Sequence, residues 1–185
     1  MAIGRSAIPL QAIQPERGRL GDKIRLDRID LKILSVLQSR ARISNHELAG
    51  EVGLSPSSCL QRVRKLEQRG VLGPYRARVD LERICRSVTV IATVKLNNHD
   101  HSDFQQFEAA VAALPEVVEA LKVSGAFDYM LRFVCTDMAQ YHELSERLLT
   151  ESYGAPQISS HVVLSASKPL ADYPLERLVQ VSGDG

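Results

Sequence analysis

Residues 44–72, SNHELAGEVGLSPSSCLQRVRKLEQRGVL, decide the fold because they predict two short helices joined by a Gly-Leu-Ser turn. Ser44 and Glu47 have the spacing of a capping box, which satisfies free backbone N–H groups at the start of the first helix. Gly53 is suited to ending that helix, and Ser55 is placed to cap the second. The stretch therefore predicts a helix-turn-helix.

The second of these helices predicts a surface that can contact nucleic acid. Cys59, Val63 and Leu66 recur at helical spacing and, with Leu60 beside them, are expected to form its buried side. The outward faces carry hydroxyl, amide and cationic groups, which can donate to base edges and phosphate oxygens. An ordinary amphipathic helix with a solvated basic face is the alternative. The predicted contact residues are Ser57, Ser58, Gln61, Arg62, Lys65 and Arg69.

Charge is distributed unevenly, although the net charge of the whole chain is only +1. Residues 1–80 hold 15 Lys+Arg and 8 Asp+Glu, which gives +7, and residues 81–185 hold the remaining 8 and 14, which gives −6. This polarity is typical of a cationic nucleic-acid module joined to a module that binds something else.

Composition places the chain among ordinary globular proteins, with 185 residues, 44% hydrophobic and 24% charged. No apolar run approaches the about 20 residues that a membrane-spanning helix needs, and Pro9 and Pro15 interrupt any secretory core. The three cysteines are odd in number and far apart, which fits reduced thiols without a metal or redox motif. We expect a cytoplasmic protein without a cofactor.

The two ends of the chain are predicted to be accessory. Residues 1–22 lack hydrophobic periodicity and form a loose arm, either plainly disordered or reaching along DNA through Arg5, Arg17 and Arg19. Residues 171–185 are assigned to a C-terminal tail.

A third helix and a wing complete the predicted N-terminal domain. Residues 27–39 have one apolar side, which can pack under the helix pair. Residues 71–80, VLGPYRARVD, are expected to form a short extended wing in which Arg76 and Arg78 contact phosphates or are simply solvated. Residues 23–80 are thus predicted to be a winged helix-turn-helix domain.

The spacing of the apolar residues changes from a helical period to a period of two after a linker at residues 81–86. In residues 87–97, SVTVIATVKLN, apolar residues alternate with mixed ones, which predicts a strand whose mixed face can meet another subunit. Ser102 and Gln105 have capping-box spacing, and the helix they predict ends before Pro115.

The remaining segments complete a βαββαβ order. Residues 117–123 and 128–135 predict two strands around a turn, Asp137 can cap a helix, and residues 158–166 supply a final strand. This order is the ferredoxin-like pattern, a four-stranded antiparallel sheet with two helices on one face, over residues 87–170. The predicted fold class is α+β.

No catalytic or metal motif emerges from the sequence. Histidines are scattered, and neither a nucleophile motif nor a Gly-rich phosphate loop occurs. His99, Asp100, His101 and Asp103 could gather a metal, but a polar loop with solvated side chains is the favoured interpretation. We predict neither an enzyme nor a metal site.

Residues 26–72, LDRIDLKILSVLQSRARISNHELAGEVGLSPSSCLQRVRKLEQRGVL, resemble the N-terminal signature of Lrp/AsnC transcription regulators. The βαββαβ half with its VSGAFDY turn, residues 123–129, resembles the effector-binding domain of the same family, so the resemblance covers about residues 26–168. It implies a dimer formed through the C-terminal sheets, assembly into tetramers or octamers, binding to double-stranded promoter DNA, and response to a small molecule, usually an amino acid.

The resemblance also implies site residues. For DNA it implies Ser57, Ser58, Gln61, Arg62 and Lys65, with Arg64 as a phosphate contact. The predicted DNA-binding residues also include the cap Ser55 and Arg76 of the wing. The implied effector site lies between neighbouring dimers. The N–H groups of a Gly-containing turn can hold a carboxylate, and Asp128 can pair with an ammonium group. The alternative is a hairpin turn whose residues serve its conformation alone. The implied effector residues are Ser124, Gly125, Ala126, Phe127, Asp128, Met138, His161, Val162 and Val163.

Three residues depart from the family pattern. Ala126 replaces a polar or aromatic residue and His161 an aromatic one, which leaves the effector open. Pro74 replaces a wing glycine and removes a backbone donor. An architectural protein that bridges DNA without an effector is the alternative function, and only coupling between ligand and DNA separates the two.

Overall fold

The computed structural model describes residues 24–98, 100–151 and 156–179. These residues fall into two compact units, each with its own hydrophobic core. The first, which we call the head, comprises residues 24–78 and 168–179, and the second, which we call the sheet unit, lies within Val79–Ser167. The N-terminal arm lies outside the described residues.

The head contains the predicted helices α1 (Arg28–Ser39), α2 (Asn45–Val52) and α3 (Pro56–Gln68). The capping box of α2 is confirmed, because the Ser44 N–H donates to Glu47 Oε2 at 2.9 Å and the Glu47 N–H donates to Ser44 Oγ at 3.2 Å. Gly53 ends α2 with a φ of 73°, a left-handed conformation that glycine adopts without strain. Ser55 caps α3 as predicted.

The buried sides of the three helices meet in one core. Ile33 of α1 and Cys59 of α3 have no exposed surface, and Ala49 of α2 lies fully buried in the same cluster. The prediction that Leu60 shares this buried side is wrong, since its side chain is 38% exposed. One step along a helix rotates a residue by about 100°, which carries Leu60 past the edge of the core.

The predicted wing is not a strand. Residues 73–80 form neither helix nor strand and are exposed, and a short 3-10 turn follows at Leu81–Arg83. Pro74 lacks the N–H that a ladder hydrogen bond requires. Arg76 and Arg78 therefore sit on an unpaired, solvated segment.

A short helix near the C-terminus belongs to the head. This helix, α6 (Leu175–Leu178), packs against the core of the head through Leu175, and Val179, which follows the helix, packs there too. Just before it, the Tyr173 N–H donates to Gln38 Oε1 at 3.0 Å, and Gln38 Nε2 donates to the Tyr173 carbonyl at 3.3 Å. The sequence had indicated only a tail at these positions.

Replacing Leu175 by alanine is expected to destabilise the head by about 1 kcal/mol, because this half-buried side chain covers apolar surface of the core. The matched control is Leu178→Ala on the same helix, whose side chain is 66% exposed and whose loss should change the free energy of unfolding by less than about 0.5 kcal/mol. Urea unfolding monitored on the head measures both. Equal effects of the two substitutions would mean that α6 does not dock on the head.

The sheet unit has the predicted βαββαβ order. Its strands are β1 (Val88–Lys95), β2 (Val117–Lys122), β3 (Tyr129–Cys135) and β4 (Gln157–Val162), all antiparallel to their neighbours in the order β2-β3-β1-β4. Its helices are α4 (His101–Ala112) and α5 (Met138–Glu151). The ferredoxin-like fold is thereby confirmed.

Both helices cover one face of the sheet. Phe133 at the centre of β3 has no exposed surface, and the ring of Tyr141 on α5 meets it edge to face at 5.2 Å. Phe107 of α4 approaches Tyr129 at 4.8 Å between ring centroids. The alternate residues of the strands point to the other face, where Ile91 and Met130 are half-buried.

The start of α4 differs from the prediction. We expected Ser102 to cap the helix, whereas α4 begins at His101 after the extended residue Asp100, so that Ser102 lies inside the first turn. A capping residue needs a non-helical backbone, and both aspartate and serine can take that position. Here the helix extends further towards its N-terminus, which leaves Ser102 no capping role.

No helix within the three described ranges is long and apolar enough to cross a membrane.

Candidate functional site

The outward side of α3 presents a row of polar side chains at a spacing of four residues. Ser57, Gln61 and Lys65 occupy successive turns of one side of the helix, and all three are exposed. The side chains of Ser58, Arg64 and Arg69 are exposed as well. Together they offer hydroxyl, amide and cationic donors along the length of an α-helix, the size of element that the major groove admits.

The N-terminal end of α3 is held by local hydrogen bonds. Ser55 Oγ accepts from the Ser58 N–H at 3.3 Å and lies 3.1 Å from Ser57 Oγ and 2.9 Å from Ser58 Oγ. From α2, Asn45 Nδ2 donates to the Pro56 carbonyl at 2.8 Å, which fixes the angle between the two helices. Sequence reasoning missed Asn45, since nothing in its neighbourhood signals a contact across the turn.

Arg62 differs from the other predicted contact residues because it forms ion pairs with two carboxylates of the head. Its Nη1 atom lies 2.6 Å from Asp27 Oδ2 and 2.7 Å from Asp30 Oδ1. The hydrogen bonds to Asp27 and Asp30 raise the pKa of Arg62. Desolvation acts to raise the pKa of Asp27, but hydrogen bonds from the Asp30 N–H and Arg62 outweigh it, so the pKa lies below its usual value.

The two carboxylates also cap α1. The Asp30 N–H donates to Asp27 Oδ1 at 2.7 Å, and the Asp27 N–H donates to Asp30 Oδ2 at 3.4 Å. A polar cleft between the start of α1 and α3 brings these groups beside Arg25, Lys65 and Arg69. The spacing of the two aspartates could have signalled the capping box, but not the partner on α3.

The predicted effector turn is held to the sheet by Asp128. Its Oδ2 accepts from the Leu96 N–H at 2.8 Å, and its own N–H donates to the Val94 carbonyl at 2.8 Å. Gly125 has a φ of 129°, which strongly favours glycine. Ser124, Gly125 and Ala126 are exposed, whereas the Phe127 and Asp128 side chains are half-buried.

Within one chain, the structure does not bring the nine predicted effector residues together. The turn lies beside Val94, at the end of β1, whereas the Val163 N–H donates to the Thr89 carbonyl near its start at 2.9 Å. The two positions are five residues apart along β1, about 17 Å at the usual rise of a strand. Met138 follows β3 at that same distant end of the sheet, where His161 and Val162 of β4 pair with Ile91 and Val90 of β1.

The histidine-rich loop gives no metal centre among residues 24–98, 100–151 and 156–179, where no group of three potential ligands is close enough to hold an ion. Asp100 and His101 form the start of α4. His99 lies outside the described residues.

A capped helix with exposed hydroxyl, amide and cationic groups, presented by a helix-turn-helix, defines the chain as a DNA-binding protein with a second, βαββαβ unit. Residues 26–72 match the winged helix-turn-helix DNA-binding family, and residues 89–172 match the Lrp/AsnC ligand binding domain. The chain belongs to the Lrp/AsnC family of DNA-binding transcription regulators.

Individual relatives agree with this assignment. The chain is 41% identical over 143 residues to the leucine-responsive regulatory protein of Haemophilus influenzae, covering 77% of this chain and 86% of the relative. The same protein of Escherichia coli K12 is also 41% identical, with 87% of it covered.

Solved structures show the same fold. A transcriptional regulator of Neisseria meningitidis in complex with L-Met superposes with a TM-score of 0.76 at 32% identity, covering 83% of this chain and 99% of that one. An AsnC family transcriptional regulator of Agrobacterium tumefaciens gives the same TM-score and identity, with 83% and 100% covered.

Proposed function

We propose that the outward side of α3 reads promoter DNA and that an amino acid bound by the sheet unit controls this binding. The observation that carries the proposal is the exposed row of Ser57, Gln61 and Lys65 on a helix whose start is fixed by Ser55. Amide and hydroxyl groups suit base edges, and the cations suit phosphates. Arg64, Arg69 and Arg76, all exposed, are assigned to the phosphate backbone. A cytoplasmic location is part of the proposal, because the relatives named above are bacterial proteins and bacterial promoters lie in the cytoplasm.

A homodimer formed through the open face of the sheet is part of the proposal. This face carries the half-buried Ile91 and Met130 together with Leu121, which is 46% exposed. Apolar residues on the uncovered face of an antiparallel sheet favour pairing with a second sheet. Two heads per dimer would contact half-sites spaced by whole turns of DNA, and assembly to a tetramer or octamer would add further heads.

The effector site is proposed to lie between chains. The turn at residues 124–128 and the group around His161 lie at opposite ends of β1, so a site that contains both needs a second chain. The Neisseria relative was solved with L-Met, which supports an amino acid as the ligand class. The exposed turn at Gly125 offers backbone N–H groups to a carboxylate, and Asp128 offers a negative charge to an ammonium group.

A thermal-shift screen of the full chain against the common amino acids tests the effector assignment. A ligand at 100 times its Kd adds about 2.7 kcal/mol to the folded state, which raises Tm by a few degrees. The variant Asp128→Asn should lose this shift, because asparagine keeps an oxygen for the Leu96 N–H but carries no charge for an ammonium group.

The matched control is Glu143→Gln, which neutralises an exposed carboxylate on α5 and should keep the full shift. If no amino acid raises Tm, the effector assignment is wrong and DNA bridging without an effector becomes the better account.

Promoter affinity measured over a salt series tests the DNA assignment separately, since log K should fall linearly and steeply with log of the salt concentration.

A further inference from the structure

A three-member charge cluster joins the centre of α3 to the first turn of α1. Arg62 Nη1 contacts Asp27 and Asp30 at 2.6 and 2.7 Å, and these two residues form the capping box of α1. One guanidinium group therefore connects the cap of one helix to the middle of another. The residues that it joins are 35 and 32 positions away in the sequence.

The cluster is partly withdrawn from water. The Asp30 side chain is 16% exposed and that of Arg62 is 33% exposed, whereas that of Asp27 is 45% exposed. Partial desolvation strengthens each ion pair relative to one at the open surface. Two carboxylates facing one guanidinium leave the cluster with a formal charge of −1, within a cleft that Arg25, Lys65 and Arg69 also line.

The ion pairs with Asp27 and Asp30 stabilise the Arg62 side chain in this position. If its guanidinium group moved to a DNA phosphate, Asp27 and Asp30 would lose their cation. Two unpaired carboxylates would then lie close to the negatively charged DNA. The two carboxylates and the DNA phosphates would repel each other. A partly desolvated carboxylate that loses its cation also destabilises the head. Lys65 and Arg69 can contact phosphates without breaking such a cluster.

We propose that Arg62 is a positioning residue that locks α3 against the cap of α1, and that it does not contact DNA. The apolar contacts of α3, through Cys59 and Leu66, hold the helix to the core but are not directional. The ion pairs add a directional restraint on the same helix. They fix the row of Ser57, Gln61 and Lys65 in the orientation that the proposed DNA contacts require, so this inference rests on the proposed function.

The decisive experiment neutralises the acids rather than the arginine. In the double variant Asp27→Asn/Asp30→Asn, asparagine can keep both capping bonds, since it is a good N-cap residue and its amide oxygen accepts a hydrogen bond. On charge alone, removing two negative charges beside DNA tightens binding. If the acids restrain α3 through Arg62, promoter affinity instead falls by about 5- to 30-fold.

Salt dependence identifies what each residue does. Each lost phosphate contact lowers the slope of log K against log salt by about 0.9. We expect Arg62→Ala and the double aspartate variant to weaken binding by similar factors with unchanged slopes, and the triple variant to weaken it no further. The control Lys65→Ala, at an exposed cation on the same helix, should lower the slope by about 0.9.

Two results would overturn the proposal. One is unchanged or tighter binding by the double aspartate variant, measured after its melting curve shows a folded head. The other is a slope lowered by about 0.9 in Arg62→Ala, which would make Arg62 a phosphate contact. If Lys65→Ala and Gln61→Ala also leave promoter binding intact, the DNA-binding role of α3 fails instead, so the two failures are distinguishable.

Discussion

Replacing Gln61 by alanine is expected to weaken binding to the cognate promoter by about 5- to 150-fold, which corresponds to the 1–3 kcal/mol of one bidentate base contact. Gln61 lies at the centre of the exposed row of α3, one turn from both Ser57 and Lys65. A glutamine amide donates to and accepts from an adenine edge in the major groove. Binding to unrelated DNA should change little, because there the phosphates supply the affinity.

Fluorescence anisotropy with cognate and scrambled duplexes measures both affinities. The matched control is Gln106→Ala, at an exposed glutamine on α4 of the sheet unit. Its effect on either duplex should be less than twofold. An equal loss of affinity for both duplexes in Gln61→Ala would show that Gln61 contributes without reading a base.

Replacing Phe133 by alanine is expected to lower the free energy of unfolding of the sheet unit by about 3–5 kcal/mol, the usual cost of removing a buried phenylalanine. The Phe133 side chain has no exposed surface and pairs across the sheet with Val90 and Val117. The substitution also removes the edge-to-face contact between the Phe133 and Tyr141 rings. A change of this size is a large part of the stability of a small domain.

Urea unfolding followed separately on the two units tests this expectation. The head should keep its transition, because no residue of its core belongs to the core around Phe133. The control Leu164→Ala removes an apolar side chain that is 94% exposed and should change stability by less than about 0.5 kcal/mol. A common shift of both transitions in Phe133→Ala would contradict the division into two units.

Features set by neighbours in the sequence could be predicted well. Ser44 and Glu47 form the expected capping box, and Gly53 takes the expected left-handed conformation, because each depends on residues a few positions away. The alternation in β1 likewise predicted which residues face the helices. Where two residues could fill one capping position, as with Asp100 and Ser102, local rules did not choose between them.

Features set by distant residues could not be predicted. The outward position of Arg62 suggested a DNA contact, and only the fold reveals that Asp27 and Asp30 reach its guanidinium group. Asp128 was assigned to a ligand, whereas its hydrogen bond to the Leu96 N–H also gives it a structural role. Because both partners lie 32 residues or more away, no pattern in the sequence indicates them.

The docking of α6 makes the head a discontinuous domain, and this affects how the chain folds as it is synthesised. The helices α1 to α3 are complete by Gln68, but Leu175 and Val179, which close one side of their core, are made only after the whole sheet unit. At about 5–20 residues per second, the nascent head waits roughly 5 to 20 s with that apolar side uncovered. The core of the head is therefore completed by residues that are translated only after the whole sheet unit.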